Sequence, residues 1–174
     1  MSRELPTLFL IGPTGAGKTT VGRLLAAKLK RVCLDLDEEI ELRCGADIPW
    51  IFDVEGEAGF RDRESRVLAE LASQPDVIIS TGAGVVLRPE NRAILEANRR
   101  AVIWLKVDLK TQYDRLKHDK NRPLLQVDDP KAKLRAMAIE RDPLYAGCAG
   151  IKVPTGKASP ASVVRRIVDA LEED

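Results

Sequence analysis

No apolar run in the 174 residues approaches the ~20 needed to span a bilayer. The opening "MSRELPTLFL" lacks the long apolar stretch and small-residue cleavage site of a signal peptide. An excess of one charge is missing too. Twenty-eight Lys and Arg stand against 27 Asp and Glu, for a net charge of +1, so nothing draws the whole chain toward nucleic acid or an anionic membrane. An anion site must therefore be local. Cysteine is scarce: Cys33, Cys44 and Cys148 are widely spaced, form no C-x-x-C pair and lie far in sequence from His118, the single histidine. That pattern argues against zinc and for free thiols in a reducing compartment. Repeats, low-complexity tracts and linkers are absent. These absences predict one cytoplasmic domain over 1–174, with no nucleic-acid or membrane partner; a monomer is expected, although no pattern in the sequence addresses assembly.

What is present is alternation. Short β-rich runs at Thr7–Ile11, Val32–Leu36, Val77–Ser80, Ala101–Val107 and Ala149–Val153 are separated by helical patterns. The clearest helices are Lys18–Leu29, Gly59–Ser73, Pro130–Tyr145 and Pro160–Glu173; the last two open on a proline, which suits a first helical turn. Such alternation predicts an α/β fold, a three-layer αβα sandwich around a five-stranded parallel sheet. The least regular segment, His118–Asp129, is expected to be a loop or a lid.

Directly behind the first run stands "GPTGAGKTT". Gly12, Gly17, Lys18 and Thr19 match G-x-x-x-x-G-K-[ST], with Gly15 in addition. Glycines let the backbone turn its N–H groups inward, and the helix opening at Lys18 aims its positive end at the same point. Residues 12–20, including Ala16 and Thr20, are thus expected to cradle the phosphates of a nucleoside triphosphate. Lys18 should reach the β- and γ-phosphates and Thr19 should ligate Mg²⁺. The loop by itself does not separate ATP from GTP.

The acceptor side is more open to ordinary readings. Asp35 and Asp37 flank Leu36 at the end of a predicted strand, the edge where α/β sheets bind ligands. One carboxylate would face the metal and the other an acceptor hydroxyl; alternatively, Asp37 caps a helix starting at Glu38. Arg61 and Glu64 are one helical turn apart, either a surface ion pair or an arginine braced toward the cleft. "STGAGVV", Ser80 to Val86, would let backbone approach a ligand, or is a plain turn.

Taken in order, the phosphate loop, D-x-D-x-x-I-E, F-x-x-x-G-E-x-x-F-R-x-x-E, T-G-x-G, R-P-L-L and R-x-P-L-Y resemble the shikimate kinases, from about Leu8 to the last helix. The resemblance implies a P-loop kinase with ATP and shikimate as substrates and Mg²⁺ as cofactor. It implies acceptor-binding helices over about 37–64 and a lid over about 118–129. Asp35 would meet Mg²⁺ through water, and Asp37 would hold the ring hydroxyls and serve as base. Arg61 and Arg141 would grip the carboxylate, with Glu64 orienting the site. The backbone of Gly82, Ala83 and Gly84 would line the acceptor pocket. Arg122 would close over ATP and assist transfer beside Lys18, and Lys157 would border the adenine. The family usually carries three glycines where this chain has Gly82-Ala83-Gly84. A left-handed backbone at Ala83 would cost about 1–2 kcal/mol. The competing readings are a related kinase for another anionic acceptor, such as gluconate or a nucleoside monophosphate, and a ligand-sensing domain without catalysis.

Overall fold

The computed structural model describes residues 5–119 and 127–173. Five strands are joined by helices: β1 Leu8–Ile11, α1 Lys18–Leu29, β2 Val32–Asp35, α2 Leu36–Cys44, α3 Ile48–Ala72, β3 Val77–Ser80, α4 Pro89–Ala97, β4 Val102–Lys106, α5 Leu109–Leu116, α6 Pro130–Cys148, β5 Ile151–Pro154 and α7 Pro160–Glu172. The strands form one parallel sheet in the order β2-β3-β1-β4-β5.

Alternate residues of a strand face opposite sides, and in the central strand β1 all four are apolar and buried, whereas the edge strand β5 buries Ile151 and Val153 and exposes Lys152 and Pro154. Leu8 and Leu10 of β1 pack with Val21 and Leu25 of α1 and Val163, Val164 and Ile167 of α7. Phe9 and Ile11 pack with Ile40 of α2, Leu68 of α3, Leu95 of α4 and Tyr145 of α6. Two cores on either face of the sheet make the expected three layers. Trp104 of β4 is buried, as its apolar run predicts, and its ring lies 5.7 Å from that of Tyr145.

Several boundaries move. Leu36 belongs to a helix, because the Asp35 side chain caps that helix by accepting from the backbone N–H of Glu38 at 3.1 Å. The helix expected from Gly59 starts earlier, at Ile48, where Asp47 accepts from the N–H of Trp50. It is broken at Gly56 (φ 73°, ψ 178°), a conformation open essentially to glycine alone. The last expected strand, Ala149–Val153, runs from Ile151 to Pro154, because α6 continues to Cys148. Among the described residues no helix is long and apolar enough to cross a membrane.

The order places β1 between β3 and β4. The chain leaves β1 toward α1 and leaves β3 and β4 toward the other face, so a crevice opens at their carboxyl ends. Every sequence-predicted site residue before Arg122 lies at or near that edge.

Candidate active site

The phosphate loop lies at the carboxyl end of β1. A side chain at Gly12 would put its Cβ 2.5 Å from the Leu105 carbonyl oxygen, so only glycine lets the loop pass β4. Gly17 stands at the start of α1 with no side chain capping the helix. The first N–H groups of α1 are thereby left to an anion. Lys18 Nζ donates to the carbonyl oxygens of Gly12 (2.6 Å) and Pro13 (3.0 Å). Thr19 Oγ1 donates to Asp35 Oδ2 at 3.4 Å, and the other oxygen of that carboxylate is engaged by the α2 cap. Thr19 and Asp35 therefore present hard oxygen donors side by side at the mouth of the loop, a donor set that fits Mg²⁺.

A polar cleft of about 340 Å³ runs from this loop to Asp37, Thr81, Gly82 and Ala83. The alternative role for Asp37 as a helix cap is excluded, since Asp35 holds that position. Asp37 Oδ1 is buried without a hydrogen-bond partner among the described residues. Burial and the neighbouring Asp35 carboxylate push its pKa up to about 6, against the pull of Lys18 and Arg61. Glu64, 1% exposed, is also raised by burial. Its Oε1 accepts from Arg61 Nη1 at 2.9 Å, so this pair is a buried brace rather than the surface ion pair the sequence left open.

The turn after β3 gathers these groups. A Cβ at Gly82 would lie 3.2 Å from Asp37 Oδ1 and 3.5 Å from Glu64 Oε2. One at Gly84 would lie 2.4 Å from Arg61 Nη2, inside its contact radius. Glycine at 82 and 84 is thus a matter of space. Between them, Ala83 has no positive φ, so the alanine carries none of the left-handed cost. Its carbonyl accepts from the Tyr145 hydroxyl at 2.5 Å. Burial raises the Tyr145 pKa, which keeps that hydroxyl a donor. Tyr145 brings Arg141, one turn earlier on α6, to the same region, and the charges of both Arg141 and Arg61 act on its hydroxyl. Arg141 lines an adjoining cavity of about 220 Å³ with Tyr145, Pro13 and Thr14. Asp37, Arg61 and Glu64 thus meet around the 82–84 turn, while Arg141 approaches from the neighbouring cavity.

Two expectations stand apart. Lys157 is exposed on the turn after β5, and Arg122 lies outside the described residues. Sequence reasoning missed Arg115, which donates to the carbonyls of Gly15 (2.9 Å) and Gly156 (3.0 Å) and ties the phosphate loop to the β5–α7 turn. It also missed Gln112 and Tyr145. The i,i+3 spacing of Gln112 and Arg115 on α5 was the available signal.

The sequence profile described as shikimate kinase matches residues 14–172. The chain belongs to the shikimate kinase family. A shikimate kinase of Chromohalobacter salexigens is 51% identical over 164 residues, covering 94% of this chain and 91% of that protein. A shikimate kinase of Halorhodospira halophila is 51% identical over 165 residues, covering 95% and 93%. The shikimate kinase of Acinetobacter baumannii, solved in complex with shikimate, superposes with a TM-score of 0.90 at 44% identity, over 97% of this chain and 94% of that one. A gluconokinase of Sinorhizobium meliloti, at 17% identity and a TM-score of 0.61, shares the fold. Membership of the shikimate kinase family makes this protein an ATP-dependent kinase, and a Mg²⁺ requirement goes with that class.

Proposed function

We propose that the protein transfers the γ-phosphoryl group of ATP to the 3-hydroxyl of shikimate, with Asp37 as the base. The observation that carries this reading is one cleft holding both the phosphate loop and a half-buried carboxylate, next to a braced guanidinium at the 82–84 turn. The hydroxyl oxygen attacks the γ-phosphorus while the bond to the β–γ bridging oxygen breaks, and ADP leaves. The hydroxyl proton passes to Asp37. With a pKa near 6, the carboxylate is free to accept it at neutral pH. Lys18 gives up its loop carbonyls to meet the β- and γ-phosphates. Arg61, fixed by Glu64, presents a planar fork to the acceptor carboxylate, which Lys could not match geometrically. Arg141 is the second arginine for that carboxylate.

Thr19, and Asp35 through water, would hold Mg²⁺, which when bound neutralises phosphate charge. The protein's part in this chemistry is alignment and positive potential. Three free thiols together with the need for ATP support a cytoplasmic location.

A coupled ADP-release assay with Mg-ATP tests the reading across shikimate, gluconate and nucleoside monophosphates. Release with shikimate well above the others is expected. Release only with another anion would reassign the acceptor, and no release with any would point to a sensing domain.

A further inference from the structure

A loop that turns its N–H groups toward an anion must turn its carbonyls away from it. Those carbonyls then need donors of their own. Here four successive carbonyls, at residues 12 to 15, each accept from a side chain. Lys18 serves Gly12 and Pro13, Gln112 Nε2 serves Thr14 at 2.8 Å, and Arg115 serves Gly15. The first two donations come from the lysine that must swing to the phosphates when nucleotide binds. The other two come from α5, nearly a hundred residues away in sequence. Leu116 of the same helix packs under Gly15, 3.2 Å from where a Cβ would stand.

Gln112 and Arg115 are not equivalent. Arg115 is exposed and also holds the β5–α7 turn. Gln112 is 6% exposed, and its side-chain hydrogen bond runs to the loop alone. We propose that Gln112 is a positioning residue for the triphosphate cradle, pinning the Thr14 carbonyl outward so that the following N–H groups stay aimed at phosphate. Its amide N–H stays on that carbonyl when Lys18 leaves, so the loop keeps its anion-binding shape in the loaded enzyme. Without this donor the half-buried carbonyl loses its protein partner or rotates into the cleft, where it repels the phosphates.

This rests on reading 12–20 as the nucleotide cradle, and ADP binding to the wild-type protein tests that reading in the same experiment. Calorimetry measures dissociation constants for ADP and shikimate in wild type, Gln112→Met and Gln112→His, with the melting temperature of each. Methionine fills the same volume without a donor; histidine keeps an N–H at similar reach. The expected result is ADP affinity weakened about tenfold in Gln112→Met, shikimate affinity unchanged, and ADP affinity recovered in Gln112→His. Wild-type ADP affinity in Gln112→Met would overturn the proposal. So would a fall in melting temperature with both affinities reduced alike and no recovery in Gln112→His, which would make Gln112 a structural prop. Absence of ADP binding in the wild type would instead remove the cradle itself.

Discussion

Asp37 carries opposing demands. Its position beside Gly82 puts a carboxylate where a base is wanted, yet burial and Asp35 oppose its ionisation. The folded-state pKa lies above the ordinary value of 3.8, so the folded protein binds the proton more tightly than the unfolded chain. The resulting stability is full below about pH 4 and is lost as pH rises through about 6. At neutral pH the ionised group therefore costs on the order of 2–3 kcal/mol. Asp37→Asn should remove that cost and raise the melting temperature at pH 7.5, with the gain shrinking as pH falls toward 4. The same variant should lose at least about a hundredfold in turnover while binding ADP as the wild type does. Calorimetric melts at the two pH values and steady-state rates check both halves. In the wild type, kcat/KM should climb with pH up to about 6 and then level off. Loss of ADP binding in Asp37→Asn would deny Asp37 a role confined to the acceptor.

At the scale of elements, α3 is two helices joined at Gly56. Its second half carries Arg61 and Glu64, and its first half carries the exposed Trp50 and Phe52. Arg63 closes the joint by donating to both oxygens of Glu55 (2.9 and 2.6 Å), and Gly59 makes room for the Glu55 side chain. Gly56→Ala puts a Cβ into a backbone region reserved for glycine. It should cost about 1–3 kcal/mol in urea denaturation and weaken shikimate binding more than ADP binding, because the two halves of α3 would no longer meet at the same angle. The periodicity of "GFRDRESRVLAELAS" made the second half legible in the sequence. Periodicity did not show the first half, because Trp50, Phe52 and Val54 face solvent while Ile51 among them is buried, and only the family resemblance implied helices there. α5 was hard to read for a related reason: it is short, and it spends its buried positions on Gln112 and Leu116 against the phosphate loop.

At the scale of the molecule, the two edge strands β2 and β5 are each four residues long, which gives a second sheet little to pair with. With a net charge of +1 and short edges, the protein is expected to sediment as a monomer of 19.2 kDa. Analytical ultracentrifugation across the micromolar range checks this, and a species of twice that mass would contradict it. The sequence by itself determined the parallel α/β layering and the phosphate loop, because hydrophobic period and glycine spacing act through neighbours along the chain. It left open whether Asp37 is a cap, whether Arg61 and Glu64 are a surface pair, and whether Ala83 is strained. Those depended on which groups the strand order β2-β3-β1-β4-β5 brings to one edge. Burial beside Gly82, the fit of a guanidinium against Gly84 and the donation of Gln112 to Thr14 are contacts between distant segments. Only the packed sheet, which sets how far those segments stand from one another and how much water reaches them, decides such contacts.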